Sequence, residues 1–222
     1  NFKYSNEQKN VFNALKSSGI KIITGGPGTG KSTVINGIIT LYQNLHPKSK
    51  VALCAPTGRA AQRMSEITHL EASTIHRLLD IKPYGQEFTY KDLSNPIDAD
   101  LIIVDEFSMA DSSLVSMLFG AIKNGATLIL SGDVDQLPSV GAGNVLNDLI
   151  NSEKIETYRL TSVFRQKGDS NIVTNSIAVR NGEEKLKTGK GVTIISAKSP
   201  ELVIKNLTPY ISRFYDKENV FN

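Results

Sequence analysis

Several features are scarce in this sequence of 222 residues. It contains one cysteine, Cys54, and no tryptophan. A single thiol cannot form an internal disulfide, which excludes a disulfide-stapled secreted domain, so we expect a reducing, cytoplasmic location. No apolar run approaches the length of about 20 residues that a membrane-spanning helix needs. No charged and then apolar leader opens the sequence, and we therefore expect no membrane partner.

An excess of charge is also missing. The 25 Lys and Arg residues nearly balance the 22 Asp and Glu residues, which leaves a net charge of +3. This mildly basic balance is too weak to indicate nucleic-acid binding by itself. Hydrophobic residues make up 40% of the sequence, enough to bury a substantial core. The length suits one large domain, or one domain and part of another.

Strand-like apolar runs alternate with helical patterns along most of the sequence. This alternation predicts an α/β fold, a mostly parallel sheet with helices on both faces. The strand-like runs are Ile20–Thr24, Val51–Ala55, Leu101–Val104 and Thr127–Ser131, and the helical segments between and after them are Val34–Leu45, Gly58–Thr68, Ser112–Lys123 and Asn144–Asn151.

The pattern restarts near Asn151. Residues 155–160 and 192–196 resemble strands, and residues 170–180 and 200–215 resemble helices. We therefore predict a first domain over residues 1–151 and the beginning of a second α/β unit over residues 152–222. Pro83, Gly85 and Pro96 interrupt the first domain, and we interpret residues 81–98 as a small hairpin insertion or an irregular surface loop.

The segment Ile22–Thr33, IITGGPGTGKST, carries the clearest chemical signal. An apolar start is followed by a glycine-rich loop and a helical segment, in the pattern G-x-x-x-x-G-K-[ST] of phosphate loops. Glycines let several backbone N–H groups approach a triphosphate, and the following helix adds its positive dipole end. The predicted nucleotide-binding residues are Gly26, Pro27, Gly28, Thr29, Gly30, Lys31, Ser32 and Thr33, with Lys31 as a mobile charge and the Ser32 hydroxyl as a Mg²⁺ ligand.

Further polar residues follow other predicted strands. Asp105 and Glu106 end the apolar run LIIV, where Asp105 can hold Mg²⁺ opposite Ser32 and Glu106 can activate a water. Gln136 follows the strand at Thr127–Ser131 and is suited to contact a terminal phosphate or its water. Because the carboxyl ends of parallel strands form one rim, we expect these residues to meet there.

Gln8 and Arg165 each allow two interpretations. Gln8 can recognise adenine, but Ser5-x-x-Gln8 is also a capping box, which the residues alone favour. Arg165 can act as an arginine finger offered by a neighbouring domain, or it is an ordinary surface arginine.

Two segments combine hydroxyls with cations at predicted helix starts. Thr57 and Arg59 lie in PTGR, and Thr74 and His76 lie in STIHR. Such groups suit phosphodiester oxygens, although helix N-caps explain the hydroxyls equally well.

Taken together, these motifs resemble the RecD-like branch of the superfamily 1 DNA helicases, the branch that moves 5′ to 3′. The resemblance covers nearly all of residues 6–182. It is carried by the segments GGPGTGKST (25–33), APTGRAAQRM (55–64), ASTIHRLL (72–79), VDEFSM (104–109), GDVDQLPSVGAGNVL (132–146) and LTSVFRQ (160–166).

The resemblance implies a RecA-like phosphate-loop NTPase domain followed by part of a second one, with ATP and Mg²⁺ bound between two such domains. It implies that Gln8 contacts adenine, that Lys31, Asp105, Glu106 and Gln136 serve catalysis, and that Arg165 is the finger. It also implies that single-stranded DNA lies along Thr57, Arg59, Thr74, His76, Gly141 and Asn144, and that residues 81–98 form a duplex-splitting pin.

The function implied is an ATP-dependent DNA helicase motor, working alone or with nuclease-helicase subunits. The family's later motifs are absent, so we expect these 222 residues to bind ATP weakly, hydrolyse it slowly and not unwind DNA. Two alternatives stay open from the sequence: a nucleotide-gated nucleic-acid-binding ATPase that does not unwind, and an RNA-directed helicase of the same superfamily.

Overall fold

The computed structural model describes residues 3–81, 90–162 and 171–215. The chain divides into two compact units, Asn1–Gln166 and Lys167–Asn222. No helix in the described ranges is both long and apolar enough to cross a membrane.

The first unit is built on a six-stranded sheet in which every pairing is parallel. Its strands are β1 (Gly19–Gly25), β2 (Val51–Ala55), β3 (Ala72–Thr74), β4 (Leu101–Val104), β5 (Thr127–Gly132) and β6 (Glu156–Leu160), in the order β3-β2-β4-β5-β1-β6. The α/β prediction is confirmed.

One helix precedes the first strand, and further helices connect the consecutive strands. They are α1 (Asn6–Val11), α2 (Lys31–Leu45), α3 (Gly58–Thr68), α4 (Ile75–Leu78), α5 (Ser112–Gly120) and α6 (Val145–Asn151), with 3₁₀ turns at Phe12–Leu15 and Phe107–Met109. A parallel pair requires a crossover connection, which is why strands and helices alternate.

The core lies on both faces of the sheet because successive side chains of a strand point to opposite sides. In β4, Ile102 belongs to a buried cluster that includes Leu114 and Leu118 of α5. Its neighbour Ile103 belongs to a second cluster, which includes Val34 and Ile38 of α2. Every residue of β4 and β5 is buried, as expected for central strands covered on both faces.

The strand at residues 156–160 exists but does not open the second unit. It pairs in parallel with β1, with Lys21 opposite Glu156, and the first unit extends to Gln166 rather than ending near Asn151. The Lys21 ammonium lies 3.1 Å from a Glu156 carboxylate oxygen and reinforces this pairing. Alternating sequence patterns predict that a strand forms, but they do not say which neighbour it pairs with.

The second unit contains α7 (Asn171–Arg180) and α8 (Pro200–Tyr215). The strand expected at Val192–Ser196 is absent from the described residues, where Val192 forms only an isolated bridge with Gly189. An apolar run becomes a strand only when a neighbour satisfies its backbone hydrogen bonds. Of the expected insertion at 81–98, residues 82–89 lie outside the described ranges.

Candidate active site

The loop between β1 and α2 is shaped by two glycines. A Cβ atom at Gly25 would lie 2.5 Å from the carbonyl oxygen of Leu160 in β6, so no larger residue fits there without displacing that strand. Gly30 has φ 84°, a left-handed conformation that favours glycine, and immediately precedes α2. The loop is therefore tightly packed against the sheet, and the unpaired N–H groups at the start of a 15-residue helix follow it.

Lys31 folds back over this loop. Its ammonium donates hydrogen bonds to the carbonyl oxygens of Gly25 and, at 3.5 Å, Gly26. The Thr29 hydroxyl donates to the same Gly26 carbonyl at 2.9 Å. A positive charge is thus held above a loop whose shape is fixed by internal hydrogen bonds.

A cleft of about 520 Å³ opens beside the loop, and its walls come from the loop itself, from α2 and α3, and from the residues that follow β4 and β5. Its lining residues are Gly26, Pro27, Gly28, Gly30, Lys31, Ser32, Thr33, Asn36, Arg63, Ile67, Asp105, Glu106 and Gln136. Residues that the sequence placed after three separate strands therefore meet at one rim. Asn36, Arg63 and Ile67 were not predicted.

Asp105 is oriented by its neighbours in the sheet. Its backbone N–H donates to the Cys54 carbonyl oxygen at 2.9 Å, and the Ser131 hydroxyl donates to its Oδ1 at 2.8 Å. Ser32 lines the same cleft. One hydroxyl and one carboxylate suit Mg²⁺, which usually binds proteins through few side chains and completes its shell with phosphate oxygens and waters. Among the described residues no group of three or more His, Cys, Asp or Glu side chains could hold a metal ion unaided.

Glu106 is held in an unusual environment. Its φ of 50° lies in the left-handed region, and its Oε2 atom is buried without a hydrogen-bond partner in the described structure. Burial raises the pKa of this carboxyl, and the neighbouring Asp105 charge raises it further, while Lys31 and Arg63 oppose the shift. A strained, underbonded carboxylate with a raised pKa is typical of a general base.

Gln136 enters the cleft from a turn after β5. Its backbone N–H donates to the carbonyl oxygen of Asp133 at 3.2 Å. The buried Asp133 carboxylate accepts from the backbone N–H of Asp135 at 3.0 Å, which fixes the turn. The exposed Gln136 side chain is therefore presented from a rigid base.

Gln8 adopts the capping arrangement. Its Oε1 accepts from the Ser5 backbone N–H at 3.0 Å, and its own backbone N–H donates to the Ser5 hydroxyl at 3.2 Å. Its Nε2 also donates to the Thr29 carbonyl oxygen at 3.4 Å. Gln8 is buried and does not line the cleft, so its contact with adenine stays a prediction. Arg165 lies outside the described residues.

The residues predicted to follow DNA lie outside the cleft lining. The Thr57 hydroxyl caps α3 by accepting from the Ala60 N–H at 3.3 Å, and the Thr74 hydroxyl caps α4 by accepting from the Arg77 N–H at 3.2 Å. The capping interpretation is therefore confirmed for both threonines.

The remaining predicted DNA residues are exposed. Arg59 lies in the first turn of α3 and His76 in α4, while Gly141 and Asn144 lie in the loop before α6. Ser139 supports this loop through a hydrogen bond of 2.9 Å to the Gly141 carbonyl. Thr57 follows β2, and Thr74 is the last residue of the adjacent strand β3. The two threonines therefore lie at the carboxyl ends of neighbouring strands.

Arg63 and Ile67 are four residues apart in α3 and therefore share one face of the helix. That spacing does not show which way the face points, so the sequence held no signal that these two residues line the cleft. The neighbouring residues Ala61 and Met64 belong to the buried face.

Comparison with known proteins agrees with this architecture. The family described as AAA domain matches residues 3–197. The chain is 42% identical over 179 residues to an ATP-dependent RecD2 DNA helicase of Deinococcus radiodurans, covering 81% of this chain and 24% of that protein. It is 34% identical over 210 residues to the RecBCD enzyme subunit RecD of Mycobacterium tuberculosis, covering 85% and 35%.

Among solved structures, a Pif1 helicase from Candida albicans superimposes with a TM-score of 0.64 at 25% identity, covering 94% of this chain and 54% of that one. The chain spans about a quarter to a third of the length of the two curated relatives, the RecD2 helicase and the RecD subunit.

Proposed function

Because the chain belongs to the AAA domain family and to its RecD-like superfamily 1 helicases, we propose that it is the nucleotide-binding part of an ATP-dependent DNA helicase motor. The observation that carries the proposal is that the phosphate loop, Asp105, Glu106 and Gln136 converge in one cleft. Groups suited to bind phosphate, a metal ion and a water have no structural reason to lie together unless they serve one reaction.

The loop and Lys31 bind the phosphates. The backbone N–H groups at the start of α2 and the Lys31 ammonium present positive charge to the cleft, and Lys31 exchanges its present carbonyl partners for phosphate oxygens. Ser32 and Asp105 would hold Mg²⁺, with Asp105 fixed by Ser131. When bound, the ion neutralises charge on the phosphate oxygens.

Glu106 is the proposed general base. Its carboxylate lines the cleft and can accept a proton from a water beside the terminal phosphate, and its raised pKa strengthens it as a base. Gln136 can orient that water or the phosphate without adding charge. Both side chains are carried on backbone that the sheet holds in place.

The proposed substrates and partners follow from the relatives. RecD2 of Deinococcus is named as a DNA helicase and the mycobacterial RecD as a subunit of the RecBCD enzyme. We place single-stranded DNA along Thr57, Arg59, Thr74, His76, Gly141 and Asn144. All of these residues except the two threonines are exposed.

Translocation requires that ATP alter the grip of two domains on the strand. We assign the first unit to the first motor domain and the residues after Gln166 to the beginning of a second, and we keep Arg165 as the arginine finger that the resemblance implies. The relatives' greater length supports this assignment.

Substitution of Glu106 tests the chemistry. Glu106→Gln keeps the size of the side chain but removes the base, so turnover should fall about 10²–10⁴-fold while ATP affinity stays near that of the wild type. Single-turnover hydrolysis and equilibrium nucleotide binding measure the two quantities. Normal hydrolysis by Glu106→Gln would remove this residue from its role.

The helicase assignment is tested on the longer parent protein. Its ATPase rate should rise with single-stranded DNA, and DNA affinity should weaken with salt because phosphate contacts dominate it. A rate indifferent to DNA would favour a nucleotide-gated binding module, and stimulation by RNA alone would favour an RNA-directed motor.

A further inference from the structure

One cation of the cleft has no role in the chemistry described so far. Arg63 lies in α3, the helix that follows β2, and lines the cleft together with Ile67. In the order of the sheet, β2 is the neighbour of β4, whose end carries Asp105 and Glu106. Arg63 therefore enters the cleft from the helix that follows β2 and not from the glycine loop.

The surroundings of Arg63 do not explain its presence structurally. Within the described ranges its guanidinium forms no ion pair, unlike the ammonium groups of Lys21, Lys50 and Lys123. Arg63 is exposed, whereas Met64, its neighbour in the helix, is buried in the core. One face of α3 therefore packs against the core, and Arg63 lies on the other face.

Of the two cations that line the cleft, Arg63 is the one that remains available to an anionic ligand. Two carboxylates, Asp105 and Glu106, face two cations, Lys31 and Arg63. Lys31 already lies over the loop through the carbonyls of Gly25 and Gly26. A guanidinium offers paired N–H donors in a planar fork that matches phosphate oxygens.

We propose that Arg63 is a phosphate-contacting residue of the nucleotide site, acting on the terminal phosphate from within the same domain. The proposal rests on the function proposed above, in which Glu106 must reach a water beside that phosphate. Arg63 and Glu106 line the same cleft, and the Arg63 charge acts to lower the pKa of the Glu106 carboxyl. Arg63 thus stands at the carboxylate end of the cleft, where the terminal phosphate has to lie.

The test compares two nucleotides that differ only in the terminal phosphate. Dissociation constants of ATP and ADP, each with Mg²⁺, are measured by calorimetry on the wild-type 222-residue chain and on Arg63→Gln. Loss of a charged hydrogen-bond donor should weaken ATP binding about 10–100-fold and change ADP binding less than about 3-fold. Arg63→Lys, which keeps the charge but not the fork, should fall between the two.

Arg159→Gln is the matched control. Arg159 is an exposed arginine in β6 that does not line the cleft, so both affinities should equal those of the wild type. If Arg63→Gln fails to fold, Arg63→Met keeps the aliphatic stem and takes its place with the same expected ratio.

The outcomes separate this inference from the function on which it rests. A wild-type chain that binds neither nucleotide would overturn the proposed function. Wild-type binding with unchanged affinities in Arg63→Gln would overturn the role of Arg63 and leave the function standing. Equal weakening of ATP and ADP would overturn the assignment to the terminal phosphate.

Discussion

The two units of this chain differ sharply in how they treat apolar side chains. In the first unit, Ile102, Ile103 and Leu128 are at most 1% exposed, and two clusters sandwich the sheet. In the described part of the second unit, Ile204 of α8 is 68% exposed and Leu207 is 46% exposed. Buried polar contacts, such as the Asn175 amide on the Lys187 backbone, organise the second unit instead.

The difference shows where the stability and the chemistry of the chain reside. Burial of apolar surface is the main favourable contribution to folding, and it is concentrated in the first unit. The cleft is formed by residues of that same unit. A rigid core is therefore present where side chains must be held in place for catalysis.

The largest expected effect is in the core. Ile103→Ala removes a fully buried side chain from β4 and should lower the free energy of unfolding by about 2–5 kcal/mol. Leu207→Ala in α8 should change it by less than about 0.5 kcal/mol, because the side chain is already half exposed. Urea denaturation followed by circular dichroism measures both, and equal losses would break the comparison.

Nucleotide binding is expected to show the next largest difference. Lys31→Ala removes the charge above the loop and should weaken ATP binding about 10–100-fold, the range for a hydrogen bond to a charged group. Lys205→Ala, an exposed lysine of α8 in the second unit, serves as the control and should leave the affinity unchanged. Calorimetric titration checks the pair, and a comparable loss in both variants would show that the second unit contributes to binding.

A smaller effect is expected where β1 meets β6. The buried Lys21 ammonium contacts Glu156 at 3.1 Å and the Ser17 hydroxyl at 3.0 Å. Glu156→Gln removes the countercharge, but Glu156 is half exposed, so the loss of stability should be about 1 kcal/mol. Arg159→Gln on the same strand should have no measurable effect, and chemical denaturation distinguishes the two.

The smallest effect is a dependence on pH at Glu7. Hydrogen bonds from the Thr161 hydroxyl and backbone, and from the Ser162 backbone, lower the pKa of this carboxyl. The stabilisation is therefore present above the unfolded pKa and is lost as pH falls through the lowered folded pKa. Glu7→Gln should cost about 1 kcal/mol or less at pH 7.

At acidic pH the same substitution should cost less, because the wild-type carboxyl is then increasingly protonated in both states. Denaturation curves at pH 7 and near pH 3 provide the measurement. Glu201→Gln in α8 is the control in the second unit and should leave the first unit's pH dependence unchanged. A constant deficit across both pH values would contradict the linkage.

The sequence predicted the elements of the first unit better than their partners. Apolar runs such as Leu101–Val104 identify buried strands because burial on both faces requires them. The three-residue strand β3 is too short to show a period, and the place of β6 beside β1 depends on pairing across more than 130 residues. Local patterns contain no information on either.

The site residues could likewise be predicted where a local pattern marks them, and not where their position depends on long-range packing. Lys31 and Ser32 were predictable from the phosphate-loop pattern. Asp105, Glu106 and Gln136 were predictable because each follows a strand, and the ends of parallel strands share a rim. Arg63 was not, because it lies in the second turn of a helix, where its orientation depends on how α3 packs. The capping role of Gln8 was visible locally, as Ser5-x-x-Gln8, whereas its hydrogen bond to Thr29 was not.

The position of β1 also dictates an order of events during synthesis. This strand and its phosphate loop are made before both of its sheet neighbours, β5 and β6, which follow more than 100 residues later. The hydrogen bonds from Thr161 to Glu7 close a loop of 154 residues. Contacts this distant in sequence form slowly, since the chain between them must first be ordered.

A growing polypeptide therefore carries its phosphate loop on an unpaired strand until residue 132 has emerged from the ribosome. The final closure waits for residue 162. Until then the exposed edges of β1 can pair with other chains, which makes this stage the most vulnerable to aggregation.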